Sequence, residues 1–100
     1  MTEITVEELK ARIDNGEKLN IVDVRESWEY EEFNIGAMNY PLSGFSAFLP
    51  ELEHLKEAEL FVHCKMGGRS AQAVAYLEQM GFKKVLNVKG GMDEWKLKFT

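Results

Sequence analysis

The chain has 100 residues, 45% of them hydrophobic, which is enough for one compact domain and too few for two. A formal net charge of −5 argues against nucleic-acid binding, because phosphate contacts need a basic face and the longest cationic cluster is Lys83-Lys84. No segment approaches the roughly 18 consecutive apolar residues of a membrane span, and residues 1–5 lack the apolar run of a signal peptide. A lone cysteine that must stay reduced fits a reducing compartment. We therefore expect a single domain over residues 1–100, located in the cytoplasm.

A helix near the N-terminus is predicted from its capping pattern. Thr5-Val6-Glu7-Glu8 has the form of a capping box, in which a threonine and a glutamate three residues later satisfy each other's backbone amides. The predicted helix continues through Leu9 and Ile13 and ends near Asn15-Gly16. The apolar run from Leu19 to Val24 then predicts a strand.

Shorter elements are predicted in the middle of the chain. Ser27 is expected to cap a short helix that reaches Phe33, and Met38 to Tyr40 is expected to add a brief strand. Ser43 to Leu55 has a helical pattern, which we expect Pro50 to interrupt.

The second half of the chain is predicted to contain two strands with a helix between them. The strands are Leu60 to His63 and Val85 to Val88. The helix is indicated by apolar residues at three-residue spacing and by a glycine stop, namely Ala71, Val74, Leu77, Met80 and Gly81. Alternating strands and helices are typical of an α/β domain with a parallel sheet and helices on both faces.

Cys64 is the only cysteine and directly follows the predicted strand Leu60 to His63. Open α/β sheets bind ligands at the carboxyl ends of their strands, which is where this residue is expected to lie. Gly67 and Gly68 allow positive φ and keep side chains away, so that backbone N–H groups can turn toward the sulfur. A helix N-terminus and nearby cations lower the pKa of a thiol, and the thiolate is the reactive form. The pattern favours a nucleophile over a small core residue.

The other side chains of this loop have two interpretations each. Lys65 and Arg69 are either solvated charges on a surface loop or, as we expect, cations that lower the pKa of the thiol and attract an anionic substrate. Arg69 could instead fix the loop by bonding backbone carbonyls. Ser70 is interpreted as the N-cap of the following helix, with or without a role in catalysis. Met66 is expected to be exposed beside the sulfur, where it could contact a substrate or a partner protein.

Four further sequence features are the segments Ile21–Glu26, Gly36–Leu42, Cys64–Ser70 and Gly90–Trp95, which are spread over nearly the whole chain. In sequence and in order, they resemble the signature segments of the rhodanese sulfurtransferase family. The active-site loop of that family has a cysteine, four intervening residues, an arginine or related polar residue, and then serine or threonine, as Cys64–Ser70 does. The resemblance implies a three-layer fold with a central, mostly parallel sheet of about five strands and helices on both faces.

The resemblance also implies the chemistry. Cys64 would take a sulfane sulfur from thiosulfate or a low-molecular-weight persulfide, hold it as a persulfide, and pass it to cyanide, a thiol or a protein acceptor. Residues 65 to 70, which are Lys65, Met66, Gly67, Gly68, Arg69 and Ser70, would form the substrate-binding loop. No cofactor is implied. The alternative function is a noncatalytic or protein-fed sulfur-carrier or docking module.

Two details of the sequence bear on these functions. Many family members carry Gly-His-Ile-Pro ahead of the second segment, whereas this chain has Glu32-Phe33-Asn34-Ile35, which we expect to alter only one rim of the site.

Related phosphatases and arsenate reductases place five residues between cysteine and arginine, whereas here there are four, which disfavours a phosphatase. The absence of a second cysteine disfavours arsenate reduction by this chain alone.

The remaining polar candidates are interpreted as structural. Asp23 and Arg25 are expected to pair and to order the turn after their strand, which is also their main role in the resembling family. His63 adjoins Cys64 but should point to the opposite face of the sheet, and His54 lies among charged residues of a solvated helix. Neither histidine has the spaced partners of a metal site, so no metal is predicted.

Overall fold

Five parallel strands form the central sheet of the computed structural model, which describes residues 1–100. The strands lie in the order β1-β5-β4-β2-β3, and every neighbouring pair is parallel. Their bounds are β1 Thr2–Ile4, β2 Asn20–Asp23, β3 Met38–Asn39, β4 Glu59–His63 and β5 Lys84–Val88. The α/β class and the sheet of about five strands are confirmed, with β4 at its centre.

Five α-helices and two short 3₁₀ turns connect the strands. The helices are α1 Val6–Asp14, α2 Ser27–Glu32, α3 Phe45–Leu52, α4 Gly68–Gln79 and α5 Gly91–Phe99, and the 3₁₀ turns are Leu42–Gly44 and Glu53–Leu55. None of these helices has the length and apolar character needed to cross a lipid bilayer.

Two hydrophobic clusters cover the two faces of the sheet. Phe61 of β4 belongs to the cluster that contains residues of α1 and α5, whereas Val62 belongs to the cluster that contains residues of α3 and α4. Consecutive strand residues point to opposite faces, so β4 contributes to both clusters. This burial on both sides explains the nearly continuous apolar sequence of β4.

The predicted capping box of α1 is confirmed. The Thr5 hydroxyl accepts a hydrogen bond from the Glu8 amide at 3.1 Å, and the Glu8 carboxylate accepts one from the Thr5 amide at 3.0 Å. The predicted stop of α4 is also confirmed, since Gly81 follows the helix with a φ of +94°.

Two local predictions are corrected by the structure. Ser27 is the first residue inside α2, and the cap is Glu26, whose amide donates to the Glu29 carboxylate at 3.0 Å. Pro50 lies within α3 and does not interrupt it. Proline leaves the carbonyl four residues earlier, that of Ser46, without its helical donor, but both residues are exposed and water can bond this carbonyl.

Two elements were not predicted, β1 and α5. β1 has only three residues, of which Ile4 alone is buried, and it exists because it pairs with β5 at the edge of the sheet. α5 begins at Gly91 with Gly90 as its N-cap, so it has no Ser, Thr, Asp or Asn at its cap. Neither segment has the local sequence pattern that normally predicts a strand or a helix.

The Asp23–Arg25 pair orders the turn after β2, as predicted. Arg25 donates from Nε and Nη2 to the Asp23 carboxylate at 2.7–3.1 Å, and its amide donates to the same group at 2.9 Å. Nη2 of Arg25 also donates to the carbonyl of Phe33 at 2.6 Å. Asp23 is fully buried and Arg25 is 3% exposed, so each charge depends on its partner.

Asp23→Asn is expected to lower the free energy of unfolding by about 3 kcal/mol, because it leaves the buried guanidinium without its counter-charge. Asp14→Asn is the matched control, since Asp14 pairs with Lys10 on the exposed surface of α1 and its loss should change little. Urea unfolding of both variants provides the measurement. Equal effects of the two substitutions would contradict the structural role given to Asp23.

Candidate active site

Cys64 lies at the carboxyl end of β4, the central strand of the sheet, as predicted. Only 1% of its surface is exposed, yet it contributes to the wall of an open pocket of about 250 Å³. The other lining residues are Lys65, Met66, Gly68 and Arg69. The structure therefore brings most of the predicted loop residues together around one sulfur atom.

Backbone amides of the loop converge on this sulfur. The amide of Gly67 donates to Sγ of Cys64 at 3.0 Å. Gly67 has a φ of +119° and is the N-cap of α4, so the chain enters the helix through a left-handed residue. The loop thereby wraps around the sulfur before α4 begins.

The hydrogen bonds to the sulfur change its acidity. Burial raises the pKa of the Cys64 thiol, but the Ser70 hydroxyl and the backbone amides of Ser70, Gly67 and Met66 outweigh burial. The net effect holds the pKa below its ordinary value. These donors stabilise the anionic form of sulfur, which is the nucleophilic form.

The N-terminus of α5 holds the loop in this orientation. The amide of Met92 donates to the carbonyl of Cys64 and that of Asp93 donates to the carbonyl of Lys65, both at 2.9 Å. In a trans peptide the carbonyl and the following N–H point in opposite directions. Since these two carbonyls point toward α5, the amides of the same peptide units point away from α5.

Gly91 is required for this close approach. A Cβ on Gly91 would lie 2.4 Å from the carbonyl oxygen of Cys64 and 2.7 Å from that of Lys65, closer than real Cβ contacts. Gly91 also has a φ of +55°, which strains any residue with a side chain. The glycine pair at positions 90 and 91 thus has a direct physical connection with the cysteine loop.

Ser70 is not the N-cap of α4, which corrects that prediction. The helix begins at Gly68 after the Gly67 cap, so Ser70 is its third residue and is fully buried. Its hydroxyl oxygen lies 3.4 Å from Sγ of Cys64 and 2.5 Å from Oδ1 of Asn87. Ser70 therefore contacts Sγ of Cys64 instead of capping the helix.

The two predicted cations each have an acidic partner. Lys65 pairs with Asp93 of α5 at 2.9 Å, and both side chains are substantially exposed. Arg69 forms two hydrogen bonds with Glu29 of α2, at 2.6 Å and 2.9 Å. Arg69 thus connects α4 to α2 through a carboxylate, and no hydrogen bond joins its guanidinium to a backbone carbonyl.

The ion pair shifts the pKa of both partners. Hydrogen bonding to Arg69 outweighs burial and lowers the pKa of Glu29 to about 2, while hydrogen bonding to Glu29 raises the pKa of Arg69. Both groups are therefore charged at neutral pH. Sequence reasoning missed Glu29 because it lies 40 positions from Arg69 and carries no motif of its own.

The histidines lie outside the pocket, as predicted. His63 is fully buried, its ring nitrogens have no hydrogen-bond partner, and Nε2 lies 3.9 Å from the Asp23 carboxylate. Burial lowers the pKa of His63 to about 4, so the ring is neutral at pH 7. His54 is exposed, and no three His, Cys, Asp or Glu side chains are grouped as metal ligands.

Met66 and Asn87 complete the surroundings of the loop. Met66 is 69% exposed at the edge of the sulfur pocket, in agreement with its prediction. Asn87 of β5 is 3% exposed and was not predicted as a site residue. Its only sequence signal is a polar side chain between Leu86 and Val88 in an otherwise apolar strand segment.

Comparison with known proteins identifies the family. The family model for the rhodanese-like domain matches residues 5–98. The chain belongs to the rhodanese-like domain family. The predicted resemblance is thereby confirmed over nearly the whole chain.

Two relatives and a solved structure are similar to this chain over most of its length. The chain is 40% identical to the putative sulfur carrier protein YrkF of Bacillus subtilis, over 93% of this chain and 50% of that protein. It is 33% identical to a sulfurtransferase of Allochromatium vinosum, over 95% of this chain and 88% of that protein. The crystal structure of SSP1007 from Staphylococcus saprophyticus superposes with a TM-score of 0.81 at 43% identity, covering 95% of this chain and 93% of the other.

The relatives differ in length. This rhodanese-like chain spans about half the length of YrkF, and 34% of the chloroplastic rhodanese-like/PpiC domain-containing protein 12 of Arabidopsis thaliana. What these proteins share with this chain is the rhodanese-like domain, whose family includes proteins named as sulfurtransferases and as sulfur carriers.

Proposed function

We propose that this rhodanese-like domain is a sulfurtransferase that moves a sulfane sulfur through a persulfide on Cys64. The observation that carries the proposal is the convergence of amide and hydroxyl donors on Sγ, with the lowered pKa that results. Such a cradle stabilises a thiolate at the base of an open pocket. A free thiolate there can attack sulfur without a general base.

The proposed reaction has two steps. The Cys64 thiolate attacks the outer sulfur of thiosulfate, forming a new S–S bond, and sulfite leaves with the electron pair of the broken S–S bond. Cyanide or a thiolate then attacks the outer sulfur of the persulfide and removes it, which returns the Cys64 thiolate. Charge and electrons balance in each step, and no cofactor is needed.

The loop residues have distinct roles in this proposal. The amides of residues 66, 67 and 70 stabilise the anionic sulfur, while Lys65 and Arg69 attract the sulfonate of an anionic donor. Asp93 and Glu29, the acidic partners of these cations, reduce the attraction of the donor. They do not cancel it, because both cations line the sulfur pocket despite their pairing. Met66 provides an exposed apolar contact at the edge of the pocket. A reducing compartment such as the cytoplasm would keep Cys64 available for the reaction.

Intact-protein mass spectrometry tests the proposed function. After incubation with thiosulfate or glutathione persulfide, the protein is expected to gain the mass of one sulfur, and cyanide should remove it as thiocyanate over repeated cycles. Cys64→Ser is the control and should gain nothing, since it lacks the only thiol. Failure to load from any small donor would contradict the enzyme and favour a protein-fed sulfur carrier.

Arg69→Ala should lower kcat/KM for thiosulfate by about tenfold, because it removes a cation from the wall of the pocket that receives a dianion. Arg12→Ala is the matched control, since Arg12 pairs with Glu17 and Glu59 away from Cys64. Steady-state thiocyanate formation measures both variants. An unchanged kcat/KM in Arg69→Ala would show that Arg69 only connects α4 to α2.

A further inference from the structure

The Ser70 hydroxyl has one hydrogen and three possible acceptors. Oδ1 of Asn87 lies at 2.5 Å, the carbonyl of Gly67 at 3.2 Å and Sγ of Cys64 at 3.4 Å. A hydroxyl can donate to only one acceptor at full strength. The contact with Asn87 is the shortest of the three, so we assign the Ser70 hydrogen to Oδ1 of Asn87.

The orientation of Asn87 is determined by its second contact. Its Nδ2 donates to the carbonyl of Gly67 at 3.4 Å, so Oδ1 faces the Ser70 hydroxyl. Reversing the amide would place two oxygens, Oδ1 and the Gly67 carbonyl, against each other. Ser70 is fully buried and Asn87 is 3% exposed, so water does not compete for these groups.

The direction of the hydrogen bonds depends on the charge of the sulfur. In the thiol form Cys64 donates its hydrogen to Oγ of Ser70, and Ser70 donates its own to Asn87. In the thiolate form the sulfur has no hydrogen and is the stronger acceptor. The Ser70 hydrogen must then turn from Asn87 to the sulfur.

We propose that Asn87 is a positioning residue that holds the Ser70 hydrogen away from Cys64 whenever the sulfur is neutral and releases it when the sulfur becomes anionic. Asn87 thereby competes with the thiolate for a single hydrogen. It acts on Cys64 only through Ser70 and does not contact the substrate.

The inference rests on the proposed function where it concerns turnover. When Sγ attacks the donor, the negative charge moves to the outer sulfur and Sγ becomes neutral. The Ser70 hydrogen then returns to Asn87, and it turns back to Sγ when an acceptor removes the outer sulfur. Asn87 thus favours the sulfur-loaded protein over the free thiolate.

Charged groups near the loop do not replace this contact. Arg69 pairs with Glu29 and Lys65 with Asp93, while Lys89 lines a separate pocket together with Met66. No charged side chain forms a hydrogen bond with Ser70. The residue of β5 that contacts Ser70 is Asn87, whose side chain is neutral. The competition for the Ser70 hydrogen can therefore be isolated by substituting uncharged groups.

The test is a double-mutant cycle on the pKa of Cys64 in the absence of any sulfur donor. The pKa is obtained from the pH dependence of alkylation by iodoacetamide, and Cys64 is the only thiol that reacts. Asn87→Leu removes the nearer of the two acceptors that compete with the sulfur and is expected to lower the pKa by about one unit, whereas Ser70→Ala should raise it by about one unit. In the Ser70→Ala background, Asn87→Leu should leave the pKa unchanged.

The cycle separates positioning from simple support of the loop. Equal shifts caused by Asn87→Leu in both backgrounds would overturn the inference, as would a raised or unchanged pKa in the presence of Ser70. Asn87→Val, which is smaller and suits a strand, takes the place of Asn87→Leu if thermal unfolding shows that the leucine variant is not folded. Because no sulfur donor is present, the result does not depend on whether the domain turns over thiosulfate.

Discussion

The contact between the first turn of α5 and the loop after β4 is the constraint on which the site depends. The amides of Met92 and Asp93 donate to the carbonyls of Cys64 and Lys65, so the amides of the same peptide units point away from α5. One of these, the Met66 amide, is among the donors that stabilise the sulfur. The same contact satisfies donors at a helix N-terminus that would otherwise lack partners. Gly91 permits it, since any side chain there would collide with the Cys64 carbonyl. One close approach therefore supports both the helix and the anion cradle.

Stabilisation of the sulfur comes mainly from dipoles. Each of the two cations of the loop has an acidic partner, Asp93 for Lys65 and Glu29 for Arg69. The groups that lower the pKa of Cys64 against the cost of burial are the Ser70 hydroxyl and backbone amides. The backbone dipoles are fixed and need no rearrangement when charge develops, whereas the Ser70 hydroxyl must turn toward the sulfur, and both are stronger where water is excluded. In the proposed reaction, the two paired cations act on the approaching sulfur donor.

The sequence allowed prediction of features that depend on neighbouring residues. The capping box of α1, the cysteine at the end of a buried strand and the glycines after it are all local patterns, and each lies where it was expected. The family resemblance added the order of the signature segments and the architecture of the sheet.

Features that depend on distant residues could not be predicted in this way. β1 is a strand only because β5 lies beside it, and α5 begins where the carbonyls of the Cys64 loop receive its amides. Glu29 and Asn87 reach the site from 40 and 17 positions away from Arg69 and Ser70, and neither has a local motif. Ser70 was predicted to be the helix cap because the sequence does not show that Gly67 adopts a positive φ. That conformation belongs to the folded loop and allows α4 to begin at Gly68, ahead of Ser70.

The central claim is that backbone amides of the loop stabilise the anionic form of Cys64, and NMR spectroscopy tests it most directly. The amide proton and nitrogen shifts of Met66, Gly67 and Ser70 would be followed through a pH titration of the free protein. The account predicts large changes in these three amides with one shared midpoint, equal to the pKa of Cys64 and absent in Cys64→Ser. Shifts that stay constant while the thiol ionises, or that persist in Cys64→Ser, would contradict it.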